Sequence, residues 1–169
     1  MEKQQDMACD VKINNNGKRF KFRVAGIVEH DGKVLMVRMN NNPFFCFPGG
    51  HVELLEETSK AIERELNEEL FFKVEVKKLI CIHENFFEDN NGKFHELCFY
   101  FTAKPKEENF VLEDKDHEEL DKGYWVHHEY RWINKEDLRN FKAEPKLIIK
   151  TYLDGQDDLV HLVTDDIKR

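Results

Sequence analysis

Polar and apolar positions alternate in two early stretches, and the alternation predicts a hairpin. Residues 20–29 and 34–39 each read as a strand. His30-Asp31-Gly32-Lys33 between them reads as the turn, because Asp-Gly favours positive φ. Asn40-Asn41-Asn42-Pro43 then breaks the chain, residues 44–47 read as a short aromatic strand, and Pro48-Gly49-Gly50 ends it. The period changes over 57–70, where Ala61, Ile62, Leu66 and Leu70 form one helical stripe. Strands at 74–87 and 94–103 follow, around the turn Asn90-Asn91-Gly92. Residues 105–121 read as a charged loop, 124–132 as extended chain and 135–141 as a short helix. A last helix is expected over 145–153, with Pro145 at its start and Gly155 beyond its end. Residues 1–18 are polar and end in Asn14-Asn15-Asn16-Gly17, so a flexible arm (1–18) and a single domain (19–169) are expected. Hairpins around a central helix, with a late helix, indicate an α+β sandwich.

The tail Leu159-Val160-His161-Leu162-Val163-Thr164 is apolar and strand-like. Two partners satisfy such a segment: an edge of its own sheet, or the same tail across the two-fold axis of a homodimer.

Composition narrows the function. With 169 residues there is room for one domain with a substantial core. Hydrophobic residues at 40% and charged residues at 36% suit a soluble protein, and 14 Phe point to an aromatic core. The net charge is -8 and no basic patch stands out, which argues against a DNA duplex or a membrane surface as partner. An acidic protein that handles phosphates must bring in positive charge, and bound metal is the usual route. Cys9, Cys46, Cys81 and Cys98 are far apart with no CxxC pair, so free thiols in a reducing cytosol are expected. No apolar run approaches the ~20 residues of a membrane span, and the first residues carry no signal-peptide core. A cytoplasmic location is expected.

The chemistry concentrates in residues 50–69. On a helix, Glu65, Glu68 and Glu69 cluster on one side, where like charges repel. Packing alone does not favour that; a divalent cation reverses the sign of the interaction. Arg64, beside Glu65 and four residues before Glu68, is placed to hold a carboxylate. Pro48-Gly49-Gly50 lets backbone approach metal or phosphate closely. A solvated acidic face would explain the three glutamates alone. It does not explain the longer pattern of Gly50, five residues, Glu56, seven residues, then Arg64-Glu65-Leu66-Asn67-Glu68-Glu69.

That pattern resembles the Nudix box of the Nudix hydrolases. Three positions depart from it. Phe71 stands where the box has Gly, Leu55 replaces a common Gly, and Glu57 replaces a common Ser or Thr cap. The Gly26 hairpin, Phe47-Pro48-Gly49-Gly50 and the passage from Tyr130 to Leu138 agree with the resemblance more loosely.

The resemblance implies an α/β/α sandwich with a mixed sheet and a central Nudix helix. It implies that Mg2+ or Mn2+ is held by Glu65, Glu68 and Glu69, with Glu56 and the Gly49 carbonyl assisting and Arg64 orienting the glutamates. The reaction implied is hydrolysis of a pyrophosphate bond in a nucleoside diphosphate linked to another moiety, a (d)NTP included. Metal-activated water would attack phosphorus, and Glu68, Glu69 or an acid outside the box would take the proton. Glu118, Glu119 and Glu96 are the outside candidates. Arg23, Arg38 and Lys33 are candidate phosphate contacts, and Phe44, Phe45, Phe86, Phe87 and Tyr100 candidate stacking residues. His127-His128 on a strand would diverge, which disfavours them as a metal pair. No Pro after the box matches the ADP-ribose hydrolases of the family, so a nucleoside triphosphate leads. Two other readings are a non-catalytic Nudix-fold nucleotide sensor and an isopentenyl diphosphate isomerase built on a reactive Cys46, Cys81 or Cys98.

Overall fold

The computed structural model describes residues 9–40, 42–121, 123–155 and 157–167. Its central strand is β2 (Lys18–His30), and both edges of β2 are used. One edge pairs in parallel with β5 (Gly92–Pro105) from Lys18↔Lys93 to Val28↔Ala103. The other edge is covered in three pieces. β1 (Lys12–Asn15) pairs with Lys18 to Lys21, and β3 (Lys33–Met39) pairs with Glu29 and His30. Between them the loop before α1 takes the ladder: Val24 donates to the Gly50 carbonyl at 3.0 Å, Gly26 to Pro48 at 2.8 Å, and Val52 donates back to Phe22 at 3.0 Å. Backbone polar groups in a core need partners, and this loop supplies them where β2 and β3 part.

The remaining strands, β4 (Val74–Asp89), β6 (Lys115–Asp121), β7 (Tyr124–Asn134) and β8 (Val160–Asp165), complete a mixed sheet in the order β6-β7-β3-β2-β5-β4-β8, with β1 beside β2. β4 (Val74–Asp89) and β5 form the expected second hairpin, and β7 (Tyr124–Asn134) lies antiparallel to β3. Two helices cover opposite faces. α1 (Thr58–Glu69) packs Ala61, Ile62 and Leu66 against Val24, Val28, Leu35 and Val37. α2 (Lys146–Leu153) packs Ile148, Ile149 and Tyr152 against Ala25, Ile27, Val34 and Met36. Neighbouring β2 residues go to opposite faces, as the two-residue period of a strand requires. The result is the α/β/α sandwich expected. Gly26 falls on the α1 face, where a Cβ would stand 2.7 Å from Leu66 Cδ1. Its missing side chain lets α1 lie close to β2.

Four expectations are corrected. The expected arm does not extend to residue 18: Asp10 bridges to Glu53 and Lys12–Asn15 is a strand, because the first half of β2 needs an edge partner; residues 1–8 lie outside the described residues. The expected charged loop contains a strand, β6 (Lys115–Asp121), paired antiparallel with β7. Its sequence shows no apolar alternation because it is a sheet edge. Residues 135–141 form turns, not a helix, with Asp137 N–H on the Asn134 carbonyl and Asn140 N–H on Asp137, each at 3.0 Å. Buried Leu138 pins the segment to the core. The aromatic strand expected at 44–47 reduces to two bridges, Val37↔Cys46 and Phe45↔Ala143. Among the described residues no helix is long and apolar enough to cross a membrane.

The tail is β8 (Val160–Asp165), parallel to β4 from Cys81↔Val160 to Phe86↔Asp165. The structure thus gives it a partner in its own sheet. Buried His83 shares a 2.8 Å hydrogen bond between Nε2 and Thr164 Oγ of β8. Ending the chain after Gly155 opens the β4 edge and orphans that nitrogen, a loss of ~1–3 kcal/mol from the hydrogen bond alone. Thermal unfolding of the shortened chain is expected to drop by about 5–10 °C or to lose cooperativity; an unchanged midpoint would contradict the pairing.

Candidate active site

The site forms where the loop covering β2 turns back to meet the last turn of α1. Gly49 has φ of 147°, and a Cβ there would lie 2.2 Å from the Val24 carbonyl oxygen. A Cβ on Gly50 would lie 2.2 Å from Glu65 Oε2. Both glycines are therefore fixed by close approach, one to the β2 backbone and one to a carboxylate. Leu55, in place of a common Gly, has φ of 65° with its side chain fully in solvent. The turn keeps a conformation that suits Gly.

Arg64 is the centre of the cluster. Its Nε and Nη2 donate to Glu56 Oε1 and Oε2 at 2.9 and 2.8 Å, a bidentate pair. Nη1 donates to Glu65 Oε1 at 2.9 Å and to Glu68 Oε2 at 3.4 Å, and Nη2 also to the His51 carbonyl at 3.0 Å. One guanidinium thus ties residues 51–56 to the helix. Glu56 also accepts the Glu53 N–H at 3.0 Å. The Arg64 hydrogen bonds hold the Glu56 carboxyl below the usual carboxylate range. With both oxygens so occupied, Glu56 acts here as an anchor for Arg64.

Glu69 lies at the bottom of the cluster, where Gly49 N–H donates to its Oε2 at 3.1 Å. Burial, and then the charge of Glu65, push its carboxyl up to about 8. Burial raises Glu65 as well, against the pull of Arg64. Two carboxyls that resist ionisation beside backbone glycines make a site short of positive charge. Hard oxygen donors are also what Mg2+ and Mn2+ take. The donor set therefore fits a divalent cation. Among the described residues no three acidic, His or Cys side chains converge on one point; Arg64 holds Glu65 and Glu68, and Gly49 holds Glu69. The Gly49 carbonyl accepts from Arg23 Nη2 at 3.1 Å.

The helix closes without the usual Gly. Leu70 turns extended at φ -94°, and its N–H bonds to the Leu66 carbonyl. Phe71 then needs no left-handed backbone, and its ring packs edge-on against Tyr130 and His117. Glu57 makes no side-chain cap. Tyr130, which sequence did not single out, donates its hydroxyl to the Glu69 carbonyl at 3.2 Å.

The outside acids separate. Glu119 is on the side of β6 that faces α1, near enough to help oppose ionisation of Glu69, and stands 3.7 Å from His128 Nε2. Glu118 is on the other side, with its Oε1 2.7 Å from His127 Nδ1. His127 and His128 diverge accordingly. Glu96 stands 3.7 Å from Arg23 on the α2 side of the sheet. Burial would lower the Arg23 value, but Glu96 together with Cys98, Cys46 and Tyr100 outweighs it and the guanidinium stays charged. Arg38 is bound by both oxygens of Glu129, at 2.8 and 2.9 Å, and lies over the Phe45 ring. Phe44 is partly exposed and Phe45 buried. Phe86 and Phe87 are occupied elsewhere, stacked on His95 and Phe94. Burial pushes the Cys81 thiol up to about 11, and burial with Glu96 pushes Cys98 up to about 12. Burial raises Cys46 too. Thiols held protonated give no support to a reactive cysteine.

Comparison with known proteins agrees with the fold. The NUDIX domain model matches residues 18–152. An ADP-ribose pyrophosphatase of Methanocaldococcus jannaschii is 37% identical over 79 residues, 45% of this chain and 47% of that protein. The match therefore spans about half the length of the relative. A NUDIX hydrolase structure from Nitrosomonas europaea superposes with a TM-score of 0.61 at 19% identity, over 86% of this chain and 79% of that one. A MutT protein structure from Bacillus halodurans gives 0.58 at 20% identity, over 86% and 91%. At these identities the two structures speak to the fold.

The raised Glu69 value has a measurable consequence. Its folded value lies above the unfolded one, so its contribution to stability is complete below the ordinary value of 4.5 and is lost as pH rises through about 8. In EDTA the melting temperature is expected to fall by several degrees between about pH 6 and about pH 9. Glu69→Gln should flatten that fall; an equal slope in the variant would contradict the assignment.

Proposed function

The chain belongs to the NUDIX family, and from that membership we propose that it is a divalent-metal-dependent hydrolase of a phosphoanhydride bond in a nucleoside diphosphate linked to another moiety. The observation that carries this reading is the Arg64-centred cluster, which presses Glu65 and Glu69 together against the Gly49-Gly50 turn.

Pyrophosphohydrolysis is the activity of this family. The specific metal, Mg2+ or Mn2+, is part of the proposal. Glu65, Glu68 and Glu69 would hold it, with the Gly49 carbonyl as a further oxygen. When bound it neutralises the pyrophosphate and lowers the proton affinity of the attacking water. Arg64 fixes which way Glu65 and Glu68 face. Glu56 keeps Arg64 in place. Glu119, on the free rim of β6 and facing Glu69, is the outside acid best placed to accept the water's proton. Arg23 fixes the Gly49 carbonyl. Arg38, braced by Glu129, offers cationic surface for phosphate at the α2 side of the cleft.

Among substrates, the relative named ADP-ribose pyrophosphatase supports ADP-ribose as the first compound to test. Nucleoside triphosphates remain the second arm. All the box glutamates are present, which favours the enzyme over a nucleotide sensor. A small-molecule nucleotide is thus the proposed partner, and the cytoplasm the proposed location.

The test is a panel of ADP-ribose, nucleotide sugars, dinucleoside polyphosphates and nucleoside triphosphates with Mg2+ or Mn2+, read as phosphate after phosphatase treatment. Metal-dependent turnover of at least one class is expected, and Glu69→Gln should lower it by a factor of about 10³ or more while melting as a folded protein. Activity that survives EDTA, or survives Glu69→Gln, would overturn the proposal.

A further inference from the structure

We infer that Glu96, set beside Arg23, is a specificity-determining residue of the proposed site, and that the pair takes vicinal hydroxyls of a ribose in the substrate. This rests on the reading of the chain as a hydrolase of a nucleoside diphosphate linked to another moiety. The observation behind it is a concentration of polar atoms without partners. Among the described residues, five buried side-chain atoms have no hydrogen-bond partner: Arg19 Nε, Arg23 Nε, His51 Nε2, Asn67 Oδ1 and His83 Nδ1. All but Asn67 lie on the α2 face of the sheet. Arg19 and Arg23 share the face of Ala25 and Ile27 on β2, His51 is bridged to Arg23, and Cys98 of β5 is in register with both Arg23 and His83. Buried polar groups are normally paired, so this concentration points to partners supplied from outside the chain.

Glu96 is the matching acceptor on that face, in register with Lys21 of β2. Arg23 Nη1 stands 3.7 Å from its Oε2, too far for a hydrogen bond. The two side chains keep 29% and 12% of their surface exposed, so a ligand can reach both. Arg23 joins the pair to the candidate active site, because its Nη2 donates to the Gly49 carbonyl at 3.1 Å. Cys46 lies within reach of both places. Burial raises its thiol, Arg23 lowers it, and Glu69 and Glu96 each raise it further.

The chemistry selects the ligand. An ionised Glu96 only accepts hydrogen bonds, and the Arg23 Nε–H only donates. A phosphate would satisfy the guanidinium and be repelled by the carboxylate; an amine would do the reverse. A hydroxyl both donates and accepts, so two neighbouring hydroxyls answer both groups at once. A nucleobase would need an open ring to stack on. Phe94, two residues before Glu96 on β5, is stacked on Phe87 at 4.8 Å and covered by Lys21 Nζ at 4.5 Å. A ribose needs no ring, and a nucleoside diphosphate linked to a sugar carries one on either side of the scissile bond.

The test is calorimetric titration of the full-length protein in EDTA, which reads binding whether or not hydrolysis is found. ADP is compared with 2′-deoxy-ADP, and ribose 5-phosphate with 2-deoxyribose 5-phosphate. In at least one pair the wild type is expected to bind the ribose form about tenfold more tightly, the value of a hydrogen bond to a charged group. A preference in the first pair assigns the nucleoside's ribose to Glu96, and one in the second pair the sugar beyond the second phosphate. Glu96→Ala should reduce the preference to less than about twofold. Glu96→Gln keeps the size of the side chain and reads out the same effect where the alanine variant fails to fold; its neutral amide should leave about threefold or less. A Glu96 that only pairs with Arg23 would weaken ribose and deoxyribose forms alike and leave the preference intact. No preference in either pair, no binding of any of the four at millimolar concentration, or a tenfold preference kept by Glu96→Gln would each overturn the inference.

Discussion

The arrangement depends on one guanidinium. Arg64 gathers Glu56, Glu65, Glu68 and the His51 carbonyl, and so joins the turn after β2's edge loop to the second half of α1. Without it, three acidic groups and a carbonyl would face one another across a turn with no reason to stay close. With it, Glu65 is drawn against Gly50 and Glu69 is left half-buried with only the Gly49 N–H and the distant Arg23 to offset its charge. That imbalance is what the proposal of a bound cation rests on.

The fold serves that arrangement. β2 exposes part of an edge where β3 diverges, and the 48–52 loop fills it. Gly26 lets α1 settle onto β2 through Leu66, which sets the height of the helix over the loop. Tyr130 of β7 reaches the Glu69 carbonyl and ties the other half of the sheet to the helix end. Loop, helix and both halves of the sheet are therefore fixed relative to one another at the point where chemistry is expected.

Much of this was legible in the chain. Asp31-Gly32 located the first hairpin, the Ala61-Ile62-Leu66 stripe located α1, and the Arg64 to Glu69 spacing marked the cluster. What escaped was long-range. The main partner of Arg64 is Glu56, eight residues back, and a helical period shows only the weaker contact to Glu68. β6 was hidden because an edge strand of charged residues has no apolar alternation to read. Glu118 and Glu119 looked equivalent until the pairing of β6 with β7 set which faces α1.

The central claim is that the three box glutamates form a divalent-cation site because their charges are under-compensated. Uptake of Mn2+, followed at neutral pH as loss of the free-ion signal in electron paramagnetic resonance, tests it without reference to any substrate. The wild-type protein is expected to take up Mn2+ saturably, and the Glu65→Gln, Glu68→Gln, Glu69→Gln triple variant to leave it free. Equal uptake by both proteins, or no saturable uptake by the wild type, would contradict the account.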